Sequence, residues 1–149
     1  MELNFADVDR IALNASDIKV GDEVAPMDIE LTHTIVSATA IASMDFMPVH
    51  HDKDYAQAQF APDAFLNILS TNGFVSKFVT DWAGPDTWVK NITIKLGVPA
   101  VPHQTLRFRG EVLEKVETGE EVDITVSVTA TNDSGSHATG SAVISLPKT

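Results

Sequence analysis

The 149-residue chain contains no cysteine. A disulfide framework, a thiolate metal site and a cysteine nucleophile are thereby excluded, and a reducing, cytoplasmic compartment is the simplest home. Positive charge is also scarce: 10 Lys and Arg face 21 Asp and Glu, a formal net charge of -11. Only Arg107 and Arg109 sit close together, so binding nucleic acid by neutralising phosphates is not expected. No apolar run approaches the roughly 20 residues needed to span a bilayer, and the opening MELNFADVDR is acidic where a signal peptide is basic and then apolar. Repeats, low-complexity stretches and shifts of composition are missing too, so residues 1–149 read as one domain, with about the first 19 as an acidic lead-in. There is no Gly-x-Ser-x-Gly elbow, Walker loop or dinucleotide glycine fingerprint, which leaves nucleophilic serine, nucleotide and nicotinamide chemistry without support. What is present is 44% apolar and 21% charged residues, the balance of a single globular core.

Periodicity divides the chain into a mixed first half and a strand-rich second half. Gly21 to Thr34 alternates Met27, Ile29 and Leu31 with polar residues and predicts a first strand. Ser37 then caps a short Ala-rich helix that stops at Met44-Asp45, before Pro48, and Asp52 caps another over Lys53 to Gln59. After Pro62-Asp63, Phe65, Ile68, Leu69, Val75, Phe78, Val79 and Trp82 recur at helical spacing, predicting one helix of about five turns that ends at Ala83-Gly84-Pro85. Gly73 within it predicts a closely packed strand. From Trp88 the period becomes two, giving strands at Trp88 to Leu96, Thr105 to Val116, Val122 to Ala130 and His137 to Leu146, the last three an antiparallel meander turned at Thr118-Gly119 and Asp133-Ser134-Gly135. A five-stranded antiparallel sheet needs a cover, and the long helix is the right size to supply it. The predicted class is α+β, a single hotdog fold wrapped around a central helix, with exposed sheet edge that calls for a second subunit.

Ionisable groups gather in one apolar neighbourhood, Met44-Asp45-Phe46-Met47-Pro48-Val49-His50-His51-Asp52. Asp45 and His50, five residues apart across a loop stiffened by Pro48, can converge on one water: the imidazole takes a proton, and the carboxylate orients the water or returns a proton. Phe46, Met47 and Val49 are expected to keep the pair partly dry, moving both pKa values toward neutrality. The alternative is a surface loop in which Asp45 caps a helix and His50 is solvated. Adjacent His50 and His51 point opposite ways on an extended loop, so no metal site is expected. His33, His103 and His137 stand alone on strands or turns as structural or solvated groups.

The loop Asp45-Phe46-Met47-Pro48-Val49-His50 resembles the Asp-x-Asn-Pro-x-His loop of the MaoC-like (R)-specific enoyl-CoA hydratases. The resemblance runs from about Val20 to Pro147. Within that family, VHHDKDYAQAQFAPDAFLNILSTNGFVSKFVTDWAGPD and IKLGVPA look most like the small catalytic subunit of steroid side-chain enoyl-CoA hydratases. It implies addition of water across the 2,3 double bond of a 2-enoyl-CoA, with Asp45 and His50 as the acid-base pair and no cofactor beyond the coenzyme A carried by the substrate. The family places a His-Gly pair at the start of the long helix, where a backbone N–H meets the thioester oxygen; Asn67-Ile68 stands there, making the N–H of Ile68 the donor. Met47 stands where the motif has Asn. Phe46, Met47, Val49 and Ile68 are expected to line an acyl tunnel that suits a bulky apolar group such as a sterol ring system, with Asn67 and Lys95 also contacting substrate. The partner implied is a second, non-identical hotdog subunit, because coenzyme A carries phosphates while the basic residues near the expected mouth are only Lys90, Lys95, Arg107 and Arg109; the alternative is a homodimer. Two other functions stay open: a hotdog thioesterase, which would want a carboxylate on the long helix where only Asn67 and Asn72 face inward, and a non-catalytic subunit of a hydratase complex.

Overall fold

A computed structural model describes residues 12–148. In chain order these form β1 (Met27–Glu30), α1 (His33–Ala42), α2 (Lys53–Ala58), α3 (Ile68–Ala83), β2 (Trp88–Leu96), β3 (Thr105–Arg109), β4 (Val112–Thr118), β5 (Glu121–Asn132) and β6 (Gly135–Pro147), with 3-10 turns at Ala15–Asp17 and Pro48–His50. Among the described residues the strands make one open antiparallel sheet in the order β1-β3-β5-β6-β2, with β4 also paired to β5. None of the described helices is long and apolar enough to cross a membrane.

The sheet is organised by the alternation on β5. Val122, Ile124, Val126, Val128 and Ala130 are all buried in the core that includes α3, and each fully buried Val or Ile side chain contributes about 1.5–3 kcal/mol. From α3, Val75, Phe78, Val79 and Ala83 face the same core. Phe78 and Phe74 meet Phe108 of β3 at ring-centroid distances of 5.9 and 6.4 Å.

The single strand expected over Thr105 to Val116 is pinched into β3 and β4 but keeps one register across the break: Arg109 pairs with Thr129 and Val112 with Val126. At the pinch a Cβ on Gly110 would lie 2.1 Å from the Ser127 carbonyl oxygen, so only glycine lets the strand bend there. This raises the strand number from five to six.

Other boundaries move for local reasons. The first strand shrinks to four residues, because Thr32 rather than Ser37 caps α1, its hydroxyl accepting from the N–H of Ile35 at 3.1 Å. Residues 21–24 still run beside β4, with Gly21 and Val24 donating to the carbonyls of Val112 and Gly110. Helix α3 begins at Ile68, not after Asp63, and its 16 residues fall short of five turns; Phe65 and Leu66 are tied in extended form to Val49 and Ala100. The lead-in is not free up to residue 19: Ala15 and Ile18 belong to the core, and the N–H of Leu13 donates to Ala83. Residues 1–11 of that lead-in lie outside the described part. Gly73 touches no strand, since a Cβ there meets nothing within 4 Å.

These two glycines give opposite expectations. Gly110→Ala should lower the unfolding free energy in urea by about 2 kcal/mol or more, because backbone must move. Gly73→Ala should raise it by up to about 1 kcal/mol through helix propensity alone. A harmless Gly110→Ala would contradict the pinch.

Candidate active site

Asp45 is placed by the end of α1. The N–H of Asp45 donates to Ala40 (2.9 Å) and that of Met44 to Ile41 (3.0 Å), the two bonds of a Schellman motif. Met44 takes the left-handed position usually given to glycine, with φ of 59°. Asp45 therefore follows the end of a helix and does not cap a helix start. Three residues on, Pro48 opens the 3-10 turn that ends at His50, its fixed φ suited to a first helical position. Asp52 then caps α2 as expected, accepting from the N–H of Tyr55 at 3.0 Å.

Across this loop the Nε2 of His50 lies 3.2 Å from the Oδ2 of Asp45. The Nδ1–H of His50 donates to the carbonyl of Phe65 at 2.7 Å, and the Phe65 ring packs edge-on at 5.0 Å. A carbonyl can only accept, so this bond fixes the proton on Nδ1 and turns Nε2 toward Asp45. His50 is buried while the Asp45 side chain keeps 24% of its surface exposed. The solvated-histidine alternative does not describe this loop.

Asn67, almost fully buried, joins the pair to α3. Its Oδ1 accepts from the N–H of Ser70 (2.8 Å) as the helix cap, and its amide nitrogen donates to Asp45 Oδ2 and to Ser43 Oγ, both at 2.9 Å. The cap forces the amide orientation, because only oxygen can face an N–H. Asn67 thus contacts Asp45 directly and spends both of its amide donors in this joint. The Asn67 amide, followed by the N–H of Met47 at 3.3 Å and the nearby His50, holds the Asp45 carboxyl below its ordinary value of 3.8 against a smaller opposing effect of desolvation. Asp45 is therefore an ionised carboxylate at neutral pH, contrary to the expected drift toward neutrality.

Ile68 is the first residue of α3, half-exposed, and among the described residues its N–H donates to nothing. Helix termini leave such donors free and add the positive end of the helix dipole. Phe46 and Met47 stand more than half exposed and Val49 half-buried, so in the single chain they do not close over the pair. Instead, a groove of about 340 Å³ runs between α1 and α3, lined by Thr39, Ala42, Ser43, Leu69, Gly73 and Phe74. It starts at Ser43, the partner of Asn67, and its floor at Gly73 is left open by the missing side chain. Sequence reasoning did not find this groove, although glycine inside a helix was the available signal.

Lys95 is exposed on the edge strand β2. Lys90 is paired with Asp123 and Glu121, Arg107 with Asp133 and Arg109 with Asp28. Among the described residues only Lys19 and Lys95 lack an acidic partner or a bond from the ammonium to a carbonyl. His51 turns to the Phe46 carbonyl, His33 and His103 meet edge to face at 5.3 Å, and no three His, Asp or Glu among the described residues form a metal-holding cluster.

The buried imidazole lies against an ionised carboxylate, beside the N–H that opens the central helix, in a chain whose open antiparallel sheet and long helix make a hotdog fold. Residues 18–134 match the model of the MaoC like domain, so the chain belongs to the MaoC-like domain family, and with it to the hydro-lyases. It is 44% identical over 113 residues, 76% of this chain and 84% of the relative, to the 3-oxo-4,17-pregnadiene-20-carboxyl-CoA hydratase beta subunit of Mycobacterium tuberculosis. Among solved structures it resembles a chain of the ChsH1-ChsH2 complex from Mycobacterium tuberculosis, with TM-score 0.81 and 41% identity over 86% of this chain and 98% of that one. The fold is shared with the (R)-hydratase PhaJ1 of Pseudomonas aeruginosa, with TM-score 0.78 and 24% identity over 93% of this chain and 88% of that one.

The Asn67–Asp45 bond predicts a pH signature. Because the folded carboxyl titrates below its unfolded value, the stabilisation it brings is complete above the ordinary carboxylate pKa and is lost as pH falls through the lowered one. Asn67→Ser keeps a helix cap but no amide to reach Asp45. Its deficit in urea stability should be present at pH 6 and shrink steadily below about pH 4. A deficit constant with pH would show that Asn67 matters only as a cap.

Proposed function

We propose that the chain is the catalytic subunit of an enoyl-CoA hydratase that adds water to the 2,3 double bond of a bulky 2-enoyl-CoA, a steroid side-chain thioester, alongside a second, non-identical hotdog subunit. The observation that carries this reading is the 3.2 Å approach of His50 Nε2 to Asp45, with Asn67 bonded to that carboxylate and followed in the chain by the free N–H of Ile68.

In this reading a water rests against Nε2 and the Asp45 carboxylate. Its oxygen attacks C3 of the enoyl group while Nε2 takes one of its protons. The C2–C3 electron pair moves toward the thioester, whose oxygen becomes an enolate held by the Ile68 N–H and the helix dipole. The imidazolium, stabilised by ionised Asp45, then returns the proton to C2, so the net change is one H and one OH added. The apolar groove between α1 and α3 receives the acyl group; its volume of about 340 Å³ lies within the usual range for ligand sites, about 300–1,000 Å³. The thioesterase alternative lacks its carboxylate: Asp81, the one acid on α3, is exposed and paired with Lys77.

Two features favour a partner subunit. Phe46 and Met47 on the loop and Ile68 and Leu69 at the start of α3 are exposed around the site, and the cations that could meet coenzyme A phosphates are spent on this chain's own carboxylates, Lys95 excepted. A partner richer in Lys and Arg would supply both wall and charge. The beta-subunit relative and the two-protein complex agree with this arrangement.

Asp45→Asn and His50→Ala should each lower turnover of 3-oxo-4,17-pregnadiene-20-carboxyl-CoA by about 10²- to 10⁴-fold while circular dichroism shows a retained fold. Wild-type rates in both folded variants would refute the hydratase reading. The same thioester should exceed crotonyl-CoA in kcat/KM, and the reverse preference would remove the steroid assignment alone.

Light scattering on the chain purified alone and with a co-expressed neighbouring hotdog subunit should show a stable heteromer that carries the full activity. A fully active homodimer indifferent to that subunit would refute the partner assignment.

A further inference from the structure

Behind Ile68 lies a buried imidazole that the reaction above does not use. His137, on β6, has its Nδ1 2.8 Å from the carbonyl of Val98 and its Nε2 3.0 Å from the hydroxyl of Thr71, which is itself fully buried on α3. The Val98 carbonyl can only accept, so Nδ1 carries a proton. Burial pushes the His137 pKa below its ordinary value, opposed by the bond to Val98, which leaves the ring neutral and Nε2 an acceptor. The Thr71 hydroxyl has a second acceptor, the carbonyl oxygen of Asn67 at 3.1 Å, and the backbone N–H of Thr71 donates to the same oxygen at 3.1 Å.

That carbonyl is one end of a planar trans peptide whose other end is the N–H of Ile68. Whatever pins or polarises the Asn67 oxygen pins or polarises the Ile68 N–H. We propose that Thr71, held in place by His137, is a positioning residue for the Ile68 N–H, an assignment that rests on the hydratase reading. The hydroxyl proton is shared between two acceptors, Nε2 and the Asn67 oxygen. When negative charge gathers on a thioester oxygen bound at Ile68, the peptide polarises, its carbonyl becomes the stronger acceptor, and the proton shifts toward it. The added interaction is stronger in the transition state than with substrate merely bound, and such an interaction raises kcat without changing KM.

The test compares Thr71→Val, which replaces the hydroxyl with a methyl of the same shape, with Thr71→Ser, which restores it. Both are assayed on 3-oxo-4,17-pregnadiene-20-carboxyl-CoA in whichever form of the wild type is active, the chain alone or co-expressed with the second subunit. Thr71→Val should lower kcat and kcat/KM together by about 5- to 20-fold, with KM unchanged, and Thr71→Ser should recover to within about 2-fold. Thr71→Ala, which keeps only the backbone donor, should show the same loss and serves if Thr71→Val does not fold. Wild-type kcat in folded Thr71→Val or Thr71→Ala, a loss that falls on KM, or a Thr71→Ser no better than Thr71→Val overturns the assignment. Asp45→Asn is assayed in parallel: an inactive Asp45→Asn beside a fully active Thr71→Val removes the positioning role and leaves the hydratase reading standing. A fully active Asp45→Asn removes the hydratase reading itself.

Discussion

The side-chain amide of Asn67 is the joint on which the site depends. It closes the first turn of α3 through its oxygen and grips Asp45 through its nitrogen, so one residue both starts the central helix and holds the carboxyl below its ordinary pKa. Rotating the amide would set its oxygen against the carboxylate and its NH2 against the Ser70 N–H. Both contacts would then be lost at once, which is why a single buried side chain bonded to three partners can specify so much. The free N–H of Ile68 follows directly, because the cap satisfies Ser70 and leaves the first helical donor pointing outward.

The rest of the loop arrives at that joint by local rules. A Schellman motif with Met44 in the glycine position delivers Asp45, Pro48 opens the 3-10 turn that delivers His50, and Asp52 ends the excursion by capping α2. Each device acts over four to six residues, so local structure brings Asp45 and His50 to the same side of the loop. The long-range part is the lacing of this loop to residues 65–67, by His50 to Phe65, Phe65 to Val49 and Asn67 to Ser43.

The fold was legible wherever one period held for a whole element. The alternation of β5 and the helical spacing from Val75 to Trp82 name residues that the core contains, while Ile68 and Leu69 of the same spacing stand exposed at the start of the helix; the α+β hotdog architecture follows from them. Legibility failed where a cap competed with a strand pattern. Met27, Ile29 and Leu31 alternate correctly, but Thr32 captures the N–H of Ile35 and ends the strand early. Of the site, Asp45 and His50 were visible as an acid and an imidazole at workable spacing, and the structure brings them together. Asn67 was visible only as a residue near substrate, because its amide meets Asp45 across 22 residues of sequence. The direction of the Asp45 shift is hidden from the sequence for the same reason: apolar neighbours suggest desolvation, while Phe46 and Met47 turn outward and the bond from Asn67 dominates. Thr71 and His137, 66 residues apart, carry no sequence signal at all.

An ionised Asp45 held by Asn67, next to a histidine whose tautomer is fixed by Phe65, is the centre of this account. The carboxyl resonance of Asp45, followed by carbon NMR in a pH titration of the wild-type protein and of Asn67→Ser, reads that state directly. The account predicts a wild-type midpoint below the ordinary value of 3.8 and an upward movement in the variant. A wild-type midpoint at or above the ordinary value, unmoved by loss of the amide, would contradict it.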